Sequence, residues 1–88
     1  MANHASAEKR NRQAIRRALA NRRVLSAVRT AVKKARAALA GGDGGEAKQA
    51  VHKATVALAK AAGKGVLKAR TASRATSRME KALNQLQS

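Results

Sequence analysis

The chain has 88 residues, room for one small domain, and sets 20 Lys+Arg against 4 Asp+Glu for a formal charge of +16. A fold gains nothing from that self-repulsion, so the excess calls for a polyanionic partner, with nucleic acid the commonest and anionic membrane the second. The absence of Cys, Phe, Trp and Tyr excludes a disulfide framework, the stacking platforms of sheet-type RNA readers, and the aromatic anchors of a membrane-interface helix.

Proline is absent and alanine abundant, a combination that favours helix throughout. Glycine supplies the punctuation. The clusters Gly41-Gly42-Asp43-Gly44-Gly45 and Gly63-Lys64-Gly65 divide the chain into three helical stretches, predicted near 6–40, 45–62 and 66–86. No segment alternates as a strand does. The fold class is therefore all-α, a three-helix bundle forming a single domain over residues 1–88.

The first stretch has an apolar series at Ile15, Ala18, Leu25, Val28, Val32, Ala35 and Leu39, recurring at steps of three, four or seven. Ser6 is placed to cap its start, and Glu8 to favour the positive end of its dipole. At about 1.5 Å per residue this helix runs roughly 50 Å, against about 25–30 Å for each of the other two. Its N-terminal third should overhang the bundle. Residues 1–40 hold eleven cations and one acid, a net charge of +10, so the overhang reads as an insertion into RNA.

In the second stretch the series is Ala47, Val51, Ala54, Leu58 and Ala61, with Asp43 and Glu46 spaced as a capping box. In the third it is Ala72, Ala75, Met79, Ala82 and Leu86. Gly41 and Gly63 suit left-handed helix stops. The stripes are mostly Ala and Val, so the core is thin, and the free protein is expected to be partly unfolded over residues 1–20 until it meets RNA.

The cations form two stripes. On the first helix Lys9, Arg12, Arg16 and Arg23 share a face flanked by Arg10, Arg17 and Arg22, and Arg29, Lys33 and Arg36 continue farther along. On the third, Arg70, Arg74, Arg78 and Lys81 step by four, four and three. Arginine presents a planar fork that holds a phosphate bidentately, whereas lysine acts as a mobile point charge. A merely solvated face would intersperse acids at helical spacing; here Glu80 is the only acid in the third stretch. The expected RNA-binding set is Lys9, Arg10, Arg12, Arg16, Arg17, Arg22, Arg23, Arg29, Lys33, Lys34, Lys64, Lys68, Arg70, Arg74, Ser77 and Arg78. Small polar residues interleave the cations, among them Asn3, Asn11, Asn21 and Thr30; most read as ordinary exposed helix positions.

Catalytic chemistry has no foothold. His4 and His52 lie in different segments without an accompanying acid cluster, and no paired acid and base or nucleophile elbow occurs. The run Gly41 to Gly45 lacks the Gly-Lys-Ser/Thr ending of a phosphate loop and follows no strand. No enzyme activity, cofactor, metal or small-molecule substrate is expected. No apolar run reaches the roughly 18–20 residues of a membrane span. The Arg-rich start resembles an organellar transit peptide in composition, but the same composition suits an RNA-binding helix, and the expected address is the cytoplasm.

With these residues in view, the chain resembles the bacterial small-subunit ribosomal protein S twenty family over essentially its whole length. The segments that carry the likeness are Met1-Ala2-Asn3, Ser6-Ala7, Lys9-Arg10, Arg12-Gln13, Arg16-Arg17, Asn21, Ser26, Arg29-Thr30, Lys33-Lys34, Gly42-Asp43, Lys64-Gly65 and Ser77-Arg78. The resemblance implies a three-helix, ribosome-bound protein that binds small-subunit ribosomal RNA early in assembly, with its first helix wedged among RNA helices and ribosomal proteins for neighbours. One departure stands out: where the family commonly shows His-Lys-Asn, this chain has Lys68-Ala69-Arg70. The alternative is a histone-like DNA-compacting protein, although such chains tend to be repetitive, Pro-containing and Lys-dominated. A membrane-active amphipathic helix is weaker still, because its apolar face would be mostly Ala.

Overall fold

The computed structural model describes the backbone of residues 2–87 and the side chains of residues 5–87. Three helices follow one another: α1 (Ala2–Gly41), α2 (Gly44–Gly63) and α3 (Ala69–Gln87). The side chains of Asn3 and His4, named above, lie outside the described residues.

The first helix starts four residues earlier than its sequence signals suggest. Ala2, Ala5 and Ala7 are strong helix formers and nothing among them breaks the chain. Ser6 consequently sits inside the helix, where the amides it might have capped already face carbonyls one turn back. Glu8 lies beyond the first turn, where the dipole's influence has faded.

The second helix begins as expected. Asp43 holds an extended backbone conformation, and its Oδ1 accepts hydrogen bonds from the amides of Gly45 at 2.9 Å and Glu46 at 3.3 Å. Two of the four unpaired N–H groups of the helix start are thereby satisfied.

The helix stops shift by one or two residues. Gly42 (φ 81°) and Gly65 (φ 76°) adopt the left-handed conformation, not Gly41 and Gly63, which remain helical. After α2, the Val66 amide donates to the Ala61 carbonyl and the Gly65 amide to the Ala62 carbonyl, both at 3.0 Å. This paired closure is the Schellman arrangement, and glycine suits its left-handed position because no Cβ meets the following carbonyl. Closing the turn occupies Val66, and the half-buried Leu67 packs on the core. Helix α3 therefore starts at Ala69, not near 66.

The core lies along one stripe of α2, where Ala47, Val51, Ala54, Leu58 and Ala61 are all buried, at alternating steps of four and three. That is the spacing of a coiled-coil seam, and the three alanines let neighbouring helices approach closely. From α1 come Val28 and Ala35, and from α3 Ala72 and Met79. Val24, Val32, Leu39, Ala75 and Leu83 pack half-buried around them. No polar or charged side chain is buried among the described residues.

Ile15 and Ala18 do not join this stripe; both are exposed. Steps of three and seven drift around an α-helix, and Ile15 lies about 140° from Val28 at about 100° per residue. No partner helix reaches that far in any case. Every described residue from Ala5 to Arg23 is exposed. The molecule measures 67 × 20 × 13 Å, and its long dimension is that of α1 alone, about 60 Å for 40 residues. The first half of α1 is thus an arm projecting beyond a short bundle.

Candidate nucleic-acid interface

Three surfaces carry the cations, and the helix geometry decides each. The arm presents seven cations between Lys9 and Arg23 against the single acid Glu8, all exposed. Lys9, Arg12, Arg16 and Arg23 fall within about 60° of one another around the helix axis. Arg10 and Arg17 lie on the side that, farther along α1, faces the bundle. Where the apolar stripe ends, arginine takes over its face.

The second surface is a groove of about 960 Å³ between α1 and α2, walled by Arg22, Arg23, Lys34 and Lys53, with Ser26, Thr30 and Gln49 between them and Glu46 at one end. It is continuous with the arm through Arg22 and Arg23. Its open, positively charged form suits a run of phosphates, to which hydroxyls and amides add further donors.

The third surface lies where α3 meets α1. Arg36, Arg74 and Arg78 converge on a groove of about 550 Å³ floored by Val32 and Met79, with no acid in its lining. Arg29 and Lys33 line an adjoining depression on α1. Three guanidinium groups around one unneutralised groove repel one another, and an anion placed there relieves that repulsion. Arg70, Arg74, Arg78 and Lys81 occupy the face of α3 opposite Ala72 and Met79, so burying the core aims the stripe outward.

Between α2 and α3 one depression has Lys48 in its lining, and another is different in kind. It is lined by Thr55, Ser73, Thr76, Ser77 and Glu80, without Lys or Arg. Ser77, from the expected set, thus faces a cation-poor surface. Lys64 caps the end of α2, and Lys68 precedes α3, its carbonyl accepting the Ala72 amide at 3.1 Å.

The geometry adds Arg36, Lys53 and Gln49 to the residues placed for contact. Arg36 follows the arm's stripe farther along α1, on another side of the helix, and was visible there as a cation. Lys53 and Gln49 had no sequence signal, because their groove exists only once α1 and α2 are packed. His52 is exposed, and its backbone carbonyl accepts the Thr55 hydroxyl at 2.8 Å. The described residues include no cluster of three or more His, Cys, Asp or Glu that could hold a metal ion. No helix among them is long and apolar enough to cross a membrane.

The sequence matches the family described as Ribosomal protein S20 over residues 2–84. The chain belongs to that family. It is 54% identical to a small ribosomal subunit protein bS20 of an Anaeromyxobacter species over 82 residues, which cover 93% of this chain and 91% of the relative. The bS20 protein of Sorangium cellulosum is 52% identical over 84 residues, covering 96% and 88% of the two chains. That of Desulfovibrio desulfuricans is 42% identical over 87 residues, covering 99% and 98%. The likeness to the S20 family drawn from scattered motifs therefore holds along the whole chain. In this S20-family protein the departing segment Lys68-Ala69-Arg70 is exposed and forms the entry to α3, so two cations stand at the head of the α3 stripe.

Proposed function

We propose that this chain is a structural constituent of the small ribosomal subunit, acting as one helical unit that binds ribosomal RNA directly and steadies the packing of RNA helices during assembly. Family membership supports the ribosomal assignment. The observation that carries direct RNA binding is the arm: 19 consecutive exposed residues, Ala5 to Arg23, with seven cations and one acid. An isolated helix of that charge has no reason to extend into water, whereas among phosphates each cation releases condensed counterions.

The proposed contact set is the one expected from the sequence, without Ser77, which lines the cation-poor α2/α3 groove, and with Arg36, Lys53 and Gln49 added. The arm, the α1/α2 groove and the α1/α3 groove face different directions, which suits a protein seated where several RNA helices converge. Readout is by shape and phosphate geometry, since no aromatic residue is present to stack on a base. The cation-poor α2/α3 face is the side turned away from RNA, toward solvent or neighbouring ribosomal proteins. No observation favours DNA compaction, and the relatives reported above are all small ribosomal subunit proteins.

Competition at fixed salt tests the reading. A folded small-subunit RNA fragment should displace the protein from duplex DNA of equal length. Equal preference for the two would defeat the assignment.

A further inference from the structure

The face of α1 turned away from the bundle carries two large apolar side chains that the fold leaves uncovered. Ile15 is 53% exposed and Leu19 is 51% exposed. They stand one helical turn apart, close enough to form a single patch. The bundle begins at Val24 and packs on another side of the helix, so none of the described residues of the bundle covers them.

The surroundings of the patch are arginine. Arg12 precedes Ile15 by three residues, Arg16 lies between the pair, and Arg22 and Arg23 follow Leu19 by three and four. Along the helix axis Arg12 and Arg22 are about 15 Å apart, with the apolar pair between them. A protein partner would need an apolar pocket ringed by acids to match this pattern. An RNA double helix has the matching pattern already. Its minor groove is wide and shallow, floored by riboses and base edges, and bordered on both sides by phosphates.

We propose that Ile15 and Leu19 form an apolar footing that packs on the ribose and base-edge floor of an RNA minor groove, while Arg12 on one side and Arg22 and Arg23 on the other grip the bordering phosphates. The footing deepens the reading given under Proposed function and rests on it. It supplies a part of the affinity that salt does not screen, because burial of apolar surface releases no counterions.

The test is a salt titration of binding to a folded small-subunit RNA fragment, comparing the parent with the double variant Ile15→Ala/Leu19→Ala. Alanine raises helix propensity, so the arm keeps its order, and circular dichroism verifies this. The variant should bind about tenfold more weakly at every salt concentration, with its plot of log affinity against log salt parallel to that of the parent. Equal affinity at all salt concentrations overturns the footing, as does a loss confined to low salt. So does a variant that binds the free RNA like the parent yet is depleted from assembled small subunits, since the pair would then dock on protein. A parent that shows no preference for the RNA over duplex DNA defeats the ribosomal reading and this inference together. Parental preference with an unaffected variant defeats the inference alone.

Discussion

Replacing Arg12, Arg16 and Arg17 together by Ala isolates the arm's contribution, because the perturbation touches charge and nothing in the core. All three side chains are exposed and stand well before Val24, where packing begins. Arg12 and Arg16 share one face, and Arg17 lies about 100° away, so the triple variant removes cations from two sides of the helix. If each neutralises one phosphate, the dependence of log affinity on log salt becomes shallower by about 2.7. At about 0.15 M salt that corresponds to roughly hundredfold weaker binding. Alanine is the better helix former, so helicity and the melting of the bundle should barely change. Fluorescence anisotropy with a labelled small-subunit RNA fragment, titrated over a range of salt concentrations, reads slope and affinity together. A triple variant with parental affinity and slope would refute the reasoning, because the arm could then not be in contact with phosphate.

Three further outcomes follow from the fold. Leu58, at 2% exposure, is the largest side chain in the α2 seam, and Leu58→Ala should cost about 3 kcal/mol in a thin core, seen as a large drop in thermal midpoint by circular dichroism. Gly63→Ala and Gly65→Ala should move stability in opposite directions: Gly63 is helical with open space around it, so Ala stabilises by about 0.5–1 kcal/mol, whereas Gly65 at φ 76° is strained by a Cβ and Ala costs about 1–2 kcal/mol. Urea midpoints of the two variants check this. In the free protein, amides of residues 5–23 should exchange rapidly while those of Val51, Ala54 and Leu58 are protected, since only the latter have tertiary cover; hydrogen exchange should slow across the arm when RNA is added.

What could be read in advance tracks how local the physics is. The α2 stripe was legible residue for residue, because Ala47, Val51, Ala54, Leu58 and Ala61 repeat at seam spacing and neighbours cover the whole helix. The same reading of α1 held at Val28, Val32, Ala35 and Leu39, gave Leu25 where Val24 packs on the core, and failed at Ile15 and Ala18, because apolar periodicity implies burial only where a partner helix exists. Helix lengths alone leave that stretch without one. Helix ends were displaced for a related reason. Ser6 and Gly63 are residue types that suit a cap, but a cap is set by where the helix runs out, and helix-forming alanines carried α1 past Ser6. At the other end, the closure after α2 selected Gly65 through two hydrogen bonds that depend on backbone already in place.

The interface divides in the same way. Charge cannot be buried in so small a core, so the exposure of the arginines in α1 and α3 was legible from composition and spacing alone. Which of them face one another was not. The convergence of Arg36, Arg74 and Arg78, and the pairing of Lys53 with Arg22 and Arg23 across one groove, depend on how three helices cross. The exposed pair Ile15 and Leu19 escaped for the opposite reason: leucine and isoleucine are ordinarily core residues, and their type outweighed the helix lengths, which already left this part of α1 without a core to enter.

The central claim is that the cationic arm, and not the α2/α3 face, lies against RNA. The chain has no cysteine, so one can be introduced singly at Ala14 on the arm or at Ala59 on the α2/α3 groove, both of them exposed, and used to tether a hydroxyl-radical source. On small-subunit RNA bound to the tethered protein, strand cleavage should be strong and localised from position 14 and weak from position 59. Equal cleavage from both positions, or stronger cleavage from position 59, contradicts the account.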